Sequence, residues 1–486
     1  MRIDVRLADR LRGRDRVDLT GMLTPAIDAL AATDLDLSTI NLVLDWIQYR
    51  ANFREVADVR PVLDVRGDPV AMEVGVDVRR NAEVDVAVVI DDIIKENANP
   101  SLSARVALEP WGPATQSCIW RFNALYWQAL SFWEQAAGRE YEQALPGGRS
   151  DARNVEAVRE LILELFKVWD DLDARSALPA ELYVVELGVG NGNQARTWLD
   201  EFVALSTVHS RDYYRRLHYL MGDYSPHVLN RAMTAVPHHG EHVTALVVDA
   251  THPAVSLGFL RGKAFLVYIS NVYDNLPSDE VSRIGGRTYQ VEVRAYLPGP
   301  EAERIAATMS APVSQLPDVV SKLLRLGPEL LCEAMPGQFV DPRAAVNFWQ
   351  EVWASLRLAE RYTPLAGLDQ YRVASGMTGE LLASHLDAAG DIRMHVNNGA
   401  LSSFAETLPL LHPFGRLQCH DLFLTDIRDY QSGFRGPGKY DGTVVNWING
   451  PLLQHIGGRR GFAVSVTPFA QRPSSNVKTL TAQVRE

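Results

Sequence analysis

Tyr183-Val-Val-Glu-Leu-Gly-Val-Gly-Asn-Gly-Asn193 is the stretch on which the fold turns. Tyr183, Val184 and Val185 favour a strand, and Glu186 stands near its end. Gly188, Gly190 and Gly192 then alternate, and Gln194-Ala-Arg-Thr-Trp-Leu199 begins a helical pattern. Glycines in such a turn let the backbone bend tightly and lie close to a ligand, because no Cβ intervenes. The helix that follows aims free N–H groups and its positive dipole end at the same point. The expected tenant is a nucleotide-like cofactor. The dinucleotide fingerprint is G-x-G-x-x-G, whereas the spacing here is G-x-G-x-G with an acid, Glu186, ahead of it.

Three further strands repeat one design. His218-Tyr-Leu-Met-Gly-Asp-Tyr-Ser-Pro226 ends in Asp223, followed by Tyr224. Asp223 lies 31 residues past Gly192 (223 − 192), beyond the ~20 of the NAD fingerprint. An acid at that strand tip can accept hydrogen bonds from both ribose hydroxyls. Val243-Thr-Ala-Leu-Val-Val-Asp-Ala250 ends in Asp249 and Ala250, placed to meet an adenine amino group, although an Asp before Thr251 and Pro253 can equally cap a turn. Ala264-Phe-Leu-Val-Tyr-Ile-Ser-Asn271 is apolar enough to be buried on both faces and ends at Asn271. Four strands ending in polar residues place those groups on one edge of a parallel sheet, where open α/β sheets bind ligands.

The Glu-Leu-Gly-x-Gly-x-Gly form resembles the first motif of class I S-adenosylmethionine (SAM) methyltransferases. Asn271-Val-Tyr-Asp-Asn-Leu-Pro277, Asp223-Tyr-Ser-Pro-His-Val-Leu229 and Gly438-Lys-Tyr-Asp-Gly-Thr-Val-Val-Asn-Trp447 are similar to segments of the MidA-like group, that of the mitochondrial complex I assembly methyltransferase and its bacterial relatives. The match covers about 183–300 and 414–469, under half of the chain. It implies a Rossmann-like class I methyltransferase sheet with SAM as cofactor, held by Glu186, Gly188, Gly190, Gly192, Asp223, Tyr224, Asp249, Ala250 and Asn271. In that group a Glu and an Asp are thought to receive an arginine guanidinium. The Glu position is Val272 here, so an arginine acceptor would lack one of two carboxylates.

Composition narrows the classes. The formal charge is −12, from 48 Lys and Arg against 60 Asp and Glu, with no basic stripe, which argues against nucleic acid as partner. Cys118, Cys332 and Cys419 are the three cysteines, widely spaced, fitting buried thiols in a reducing compartment. Met1-Arg-Ile-Asp-Val-Arg-Leu-Ala-Asp-Arg10 lacks the apolar run of a secretory signal, and no stretch has the ~18 apolar residues of a membrane span. The expected setting is bacterial cytoplasm, away from membranes, with a homodimer allowed for.

The organisation expected is an α/β fold with additions. Residues 1–105 form an N-terminal α+β accessory module, with helices at Pro25–Ala32 and Thr39–Arg50 and strand-like Val59–Arg79 and Glu83–Ile94. Residues 106–300 hold a helical lid and the first part of the SAM-binding domain. The lid, Trp111–Leu145, is rich in aromatics that serve either as core or as a mouth, where Arg121, Asn123, Tyr126 and Tyr273 would meet the substrate. Pro146–Asp151 is a loop. Roughly 140 residues separate the fourth strand from the fifth at Gly415–Leu424, where about a dozen suffice for a crossover. Residues 301–400 therefore read as a mainly helical substrate cap inserted between them. Residues 401–472 complete the domain, with Thr443–Trp447 and Gly461–Phe469 as its last two strands, and 473–486 is a flexible tail.

Methyl transfer from a sulfonium needs alignment, exclusion of water and sometimes a base. Candidates for the base or charge partner are Asp274, His420, Asp421 and Asp441. His238-His-Gly-Glu-His242 has metal-like spacing but reads as a loop, and no metal is expected. The reading is methyl transfer to the O or N of a small-molecule or peptide acceptor. The alternatives are a MidA-like protein arginine methyltransferase or assembly factor, a non-catalytic scaffold of the same fold, and an NAD(P)-binding reductase.

Overall fold

The computed structural model describes residues 1–7, 19–47, 49, 51–80, 85–98, 104–144, 154–431 and 435–485. The loop expected at Pro146–Asp151 lies outside them.

One sheet has seven strands: β1 (Leu182–Leu187), β2 (Leu217–Asp223), β3 (Val243–Val247), β4 (Ala264–Ser270), β5 (Leu411–Asp421), β6 (Phe462–Pro468) and β7 (Lys478–Val484). Their order is β6-β7-β5-β4-β1-β2-β3. β1 to β5 are parallel, and β7 runs antiparallel to both β5 and β6. β1 and β4 are buried along almost their whole length, which explains why they are apolar apart from Glu186 and the terminal Ser270. Val184 and Tyr219 pack beneath the helix Val155–Ala174 on one face, while Val185 and Val267 pack with the helices Asn398–Thr407 and Gly450–Arg459 on the other. The chain order turns back between β1 and β4, so a crevice opens at their carboxyl ends.

A second, ten-stranded sheet joins sequence-distant parts. Arg2–Arg6, Ile40–Asp45, Pro69–Asp77 and Ala57–Leu63 lie side by side and continue into Arg357–Pro364, Arg287–Leu297, Glu280–Ile284 and Ile392–His395. The two parts meet where Val62 pairs with Tyr362.

Several local expectations change. Thr39–Arg50 was expected to be helical, but its middle is the strand Ile40–Asp45, buried between two neighbours; a strand buried on both faces has no alternation to give it away. Glu83–Ile94 resembles a strand, yet Val86–Ala98 is a helix whose Val86, Ile90 and Ile94 sit on one buried face. The region 301–400 is mainly helical only to Ser355; strands at Arg357–Pro364 and Ile392–His395 then enter the second sheet, with the short helix Ala383–Ala389 between them. Thr443–Val445 forms a hairpin with Gly438–Tyr440 rather than a strand of the main sheet. The segment expected to be a flexible tail is β7, held between β5 and β6 with Leu480 and Ala482 fully buried.

Candidate functional site

The turn after β1 is built as its glycines require. Gly188, Gly190 and Gly192 all have positive φ, from 56 to 80°. A Cβ on Gly192 would stand 2.8 Å from the backbone of Ala232, in the helix Pro226–Ala235. One on Gly190 would stand 2.5 Å from Tyr141 Oη, and one on Gly188 would collide with Val272 Cγ2. The turn is thus pressed between the helix after β2, the aromatic segment and the loop after β4. Gly192 caps the helix Asn193–Val208, whose first N–H groups face the crevice edge.

Acids line that edge. Glu186 is buried and accepts a 2.6 Å bond from Tyr219 Oη; burial and then the nearby Asp223 push its carboxyl up to about 8. Asp223 accepts from Gly190 N and Ser225 N, both at 3.2 Å, through different oxygens. A carboxylate has about four acceptor positions, so both oxygens keep capacity for further donors. Burial raises the Asp223 pKa against those backbone donors. Tyr224 is exposed beside it and accepts from Gln128 Nε2 of the aromatic segment (3.1 Å). Asp249 is exposed, with Oδ1 accepting from the N–H and hydroxyl of Thr251 (2.8 and 2.6 Å). This is the turn-capping role the sequence left open. Asn271 follows β4 with φ +51°, its N–H donating to His420 O (3.0 Å).

Two buried carboxyls meet where β4 and β5 end. Asp421 Oδ2 accepts from the backbone N–H groups of Val272, Tyr273 and Asp274 (3.1, 2.9 and 3.4 Å), and its Oδ1 from Leu422 N (2.8 Å). It therefore fixes the turn that carries Asp274. Burial raises the Asp274 pKa to about 7 against a 2.7 Å bond from Asn275 Nδ2. Burial, then repulsion from Asp274, raises Asp421 as well. Burial and the repulsion between the two carboxyls therefore raise both pKa values, that of Asp421 the further. Tyr49 packs against Gly438 close by; burial and the Asp274 carboxylate raise the pKa of its phenol.

The remaining candidates are placed differently. His420 lies in β5 with Nδ1 at 3.0 Å from Thr479 Oγ1 and Nε2 at 3.0 Å from Gln418 Nε2; burial lowers its pKa to about 4. Both ring nitrogens are occupied, an arrangement that holds β7 against β5. Asp441 accepts from Tyr126 Oη (2.9 Å), Trp133 Nε1 (3.1 Å) and Arg139 Nη2 (3.0 Å), so it anchors the aromatic helices. Asn123 bridges Asn275 O and Val444 N (both 2.9 Å), tying the helix Cys118–Gln128 to the loop after β4. Arg121 is exposed, and Tyr273 is fully buried. Sequence reading did not single out Tyr141 or Tyr49. Only the fold brings them to the turn and to Asp274, and neither stands in a motif. Among the described residues no cluster of His, Cys, Asp or Glu is disposed to hold a metal ion.

No family model and no curated protein matches the chain. The solved structures it resembles include a protein from Burkholderia thailandensis inferred to be a methyl transferase, bound to S-adenosyl-homocysteine. It shares 12% identity over 77% of this chain and 88% of that one, with a TM-score of 0.43. Another is the CcbJ methyltransferase from Streptomyces caelestis, with 11% identity over 68% and 90% of the two chains and a TM-score of 0.30. A third is the DszA carbon methyltransferase, with 13% identity over 76% and 67% and a TM-score of 0.31. No helix among the described residues is long and apolar enough to cross a membrane.

Proposed function

We propose that this protein is a SAM-dependent methyltransferase acting on the O or N of a small-molecule or peptide acceptor. The observation that carries the reading is the sheet order β6-β7-β5-β4-β1-β2-β3 with β7 antiparallel, combined with a three-glycine turn after β1 and an acid with spare acceptor capacity at the tip of β2. Strand order and antiparallel last strand are those expected for the class I methyltransferase sheet.

The residues present fit the cofactor. Asp223 can take two hydroxyl donors beyond its backbone N–H groups, which suits a ribose. The N–H groups of the three glycines are bonded within the protein, so the backbone donors suited to a carboxylate are those at the start of the helix Asn193–Val208 beyond Asn193. Asp249 Oδ2 and the Ala250 backbone suit an adenine edge. When bound, SAM supplies an activated methyl group. The chain's part is to align the acceptor, keep out water and manage one proton. The segment 111–144 excludes water, since Tyr141 and Gln128 already touch the turn and Tyr224. Asp274, oriented by Asp421, is the group to receive a proton from the acceptor; with a pKa near 7 it is increasingly ionised as the pH rises through neutrality. His420 and Asp441 have their hydrogen-bonding capacity committed to structure.

A MidA-like arginine acceptor is the weaker variant. Val272 packs onto Gly188, so the position where that group carries its Glu is apolar and closed by the glycine turn.

Isothermal titration with S-adenosylhomocysteine tests the reading. Micromolar binding that is lost in Asp223→Ala supports it. Absence of binding to the unmodified protein, or unchanged binding in the variant, refutes it.

A further inference from the structure

A groove of ≈ 630 Å³ runs between the two sheets. Two of its walls continue the proposed cofactor edge. Thr251 directly follows Ala250, and Pro277 stands three residues after Asp274, within ~10 Å of chain. The start of the helix Asn398–Thr407 forms a third wall, and the second sheet with residues 364–375 closes the far side. The volume suits a small molecule.

The charged groups on these walls differ in what they have left to bind. Asp279 is buried and accepts from Thr115 N (2.8 Å), Tyr371 Oη (3.0 Å) and Gln290 Nε2 (3.3 Å). His252 Nδ1 lies 3.0 Å from Glu406 Oε1. Arg372 is exposed in the lining, and among the described residues no carboxylate pairs with its guanidinium. The backbone that carries it is nevertheless held on both sides. Tyr371 is tied to Asp279, and Val373 O accepts from Asn398 Nδ2 at 2.9 Å. An anchored segment therefore presents a cation with its donors uncommitted. A guanidinium is a planar fork of five N–H groups, matched to a carboxylate or a phosphate. Asn398 and Gly399 also line the groove, so the positive end of their helix adds potential of the same sign. The chain as a whole carries −12, which repels anions, so retaining one takes a local cation of this kind.

We propose that this groove receives the methyl acceptor, and that the acceptor is an anion whose carboxylate or phosphate is held by Arg372. The inference rests on the methyltransferase reading and narrows its acceptor class. Pro277, Pro364, Leu365 and Val373 offer an apolar bed for the body of such a molecule. A cationic acceptor would face Arg372, while the carboxylate of the lining, Asp279, is already met by three donors.

Four probes of similar size test it: benzoate, phenyl phosphate, benzyl alcohol and benzylamine, followed by ligand-observed NMR with the full chain. A parallel titration with S-adenosylhomocysteine keeps the two readings apart. Benzoate or phenyl phosphate should bind about fivefold more tightly than the neutral and cationic probes, and the tighter of the two names the anion. Arg372→Gln should abolish that preference and leave S-adenosylhomocysteine affinity unchanged. Arg287→Gln removes an equally exposed arginine outside this lining and should leave the preference intact. For an acceptor found by screening, Arg372→Gln should raise KM about fivefold with kcat nearly unchanged, the mark of a group that binds without joining the chemistry. The assignment is overturned if no anion is preferred, if the preference survives Arg372→Gln, or if Arg287→Gln removes it equally. A loss of S-adenosylhomocysteine affinity in Arg372→Gln also overturns it, since the arginine would then serve the cofactor. All four outcomes leave the cofactor reading standing. Anion binding at Arg372 without any S-adenosylhomocysteine binding overturns the acceptor role together with the methyltransferase reading.

Discussion

Buried acids occur in both sheets, under opposite conditions. In the second sheet they are matched. Glu360 pairs with Arg54 (2.9 Å) and Arg393 (2.7 Å), Glu280 with Arg393, and Glu73 with Arg60, while Tyr362 Oη donates to Glu73 (2.8 Å). Burial penalises the Glu73 carboxylate, yet Arg60, Arg6 and Arg393 overcome that and hold it at about 2. Arg393 and Arg54 hold Glu360 well below the carboxylate range in the same way. At the carboxyl edge of the seven-stranded sheet, Glu186, Asp223, Asp274 and Asp421 are all raised by burial, and among the described residues no ion pair reaches them. Matched charges join strands. Unmatched charges cost stability and are kept where a ligand or a proton is to be received.

The largest test of this contrast is to break the matched set. Glu360→Gln removes the carboxylate shared by three buried guanidinium groups, those of Arg54, Arg60 and Arg393, and should cost about 3–5 kcal/mol in urea unfolding. A loss below ~1 kcal/mol would mean that the network contributes little to joining the two parts of the second sheet. Asp223→Ala, on the unmatched edge, should leave unfolding nearly unchanged and weaken S-adenosylhomocysteine by about 100-fold, equivalent to ~3 kcal/mol of charge-assisted hydrogen bonds.

The pH dependence sharpens the comparison, with opposite signs for the two sheets. Glu73 has a folded pKa near 2, below its ordinary 4.5, so its contribution is present above pH 4.5 and lost as the pH falls towards 2. Glu186 has a folded pKa near 8, above its ordinary 4.5, so its contribution is present below pH 4.5 and lost as the pH rises towards 8. Glu186→Gln should remove a slope of about 1.4 kcal/mol per pH unit from the stability profile in the upper window. An unchanged slope would remove the claim that Glu186 folds protonated. The smallest effect expected is that of Tyr126→Phe, which removes one of three donors to Asp441; about 1 kcal/mol of stability should go, with S-adenosylhomocysteine affinity unchanged. A marked loss of affinity would bring Tyr126 back as a binding residue.

The parts legible from sequence were those written locally. Alternating glycines after an apolar strand, and Asp or Asn at successive strand ends, are short-range patterns, and they lead straight to the crevice at β1 and β4. Long-range pairing leaves no such mark. Nothing near Ala57–Leu63 announces that its neighbour is Arg357–Pro364. β7 did carry a signal: in Lys478-Thr-Leu-Thr-Ala-Gln-Val484, Leu480 and Ala482 alternate with polar residues, but the stretch is too polar to read as the inside of a sheet. His420 and Asp441 show the converse limit: a residue type able to do chemistry says nothing about which neighbours already bond to it.

The joint between the two parts of the second sheet also sets a schedule for folding. Arg54 and Glu360 are partners 306 positions apart in the chain. At ribosomal rates the early strands wait roughly 15–60 s before their neighbours exist, longer than hairpins or helices take to form. During that interval Arg54 and Arg60 lack the Glu360 that later neutralises them, and the strand Ala57–Leu63 exposes an unpaired edge. Such an edge is a template for wrong pairing with other chains. Yield in a heterologous host should therefore depend on holding chaperones and on slow, cool expression more strongly than the stability of the finished protein would suggest.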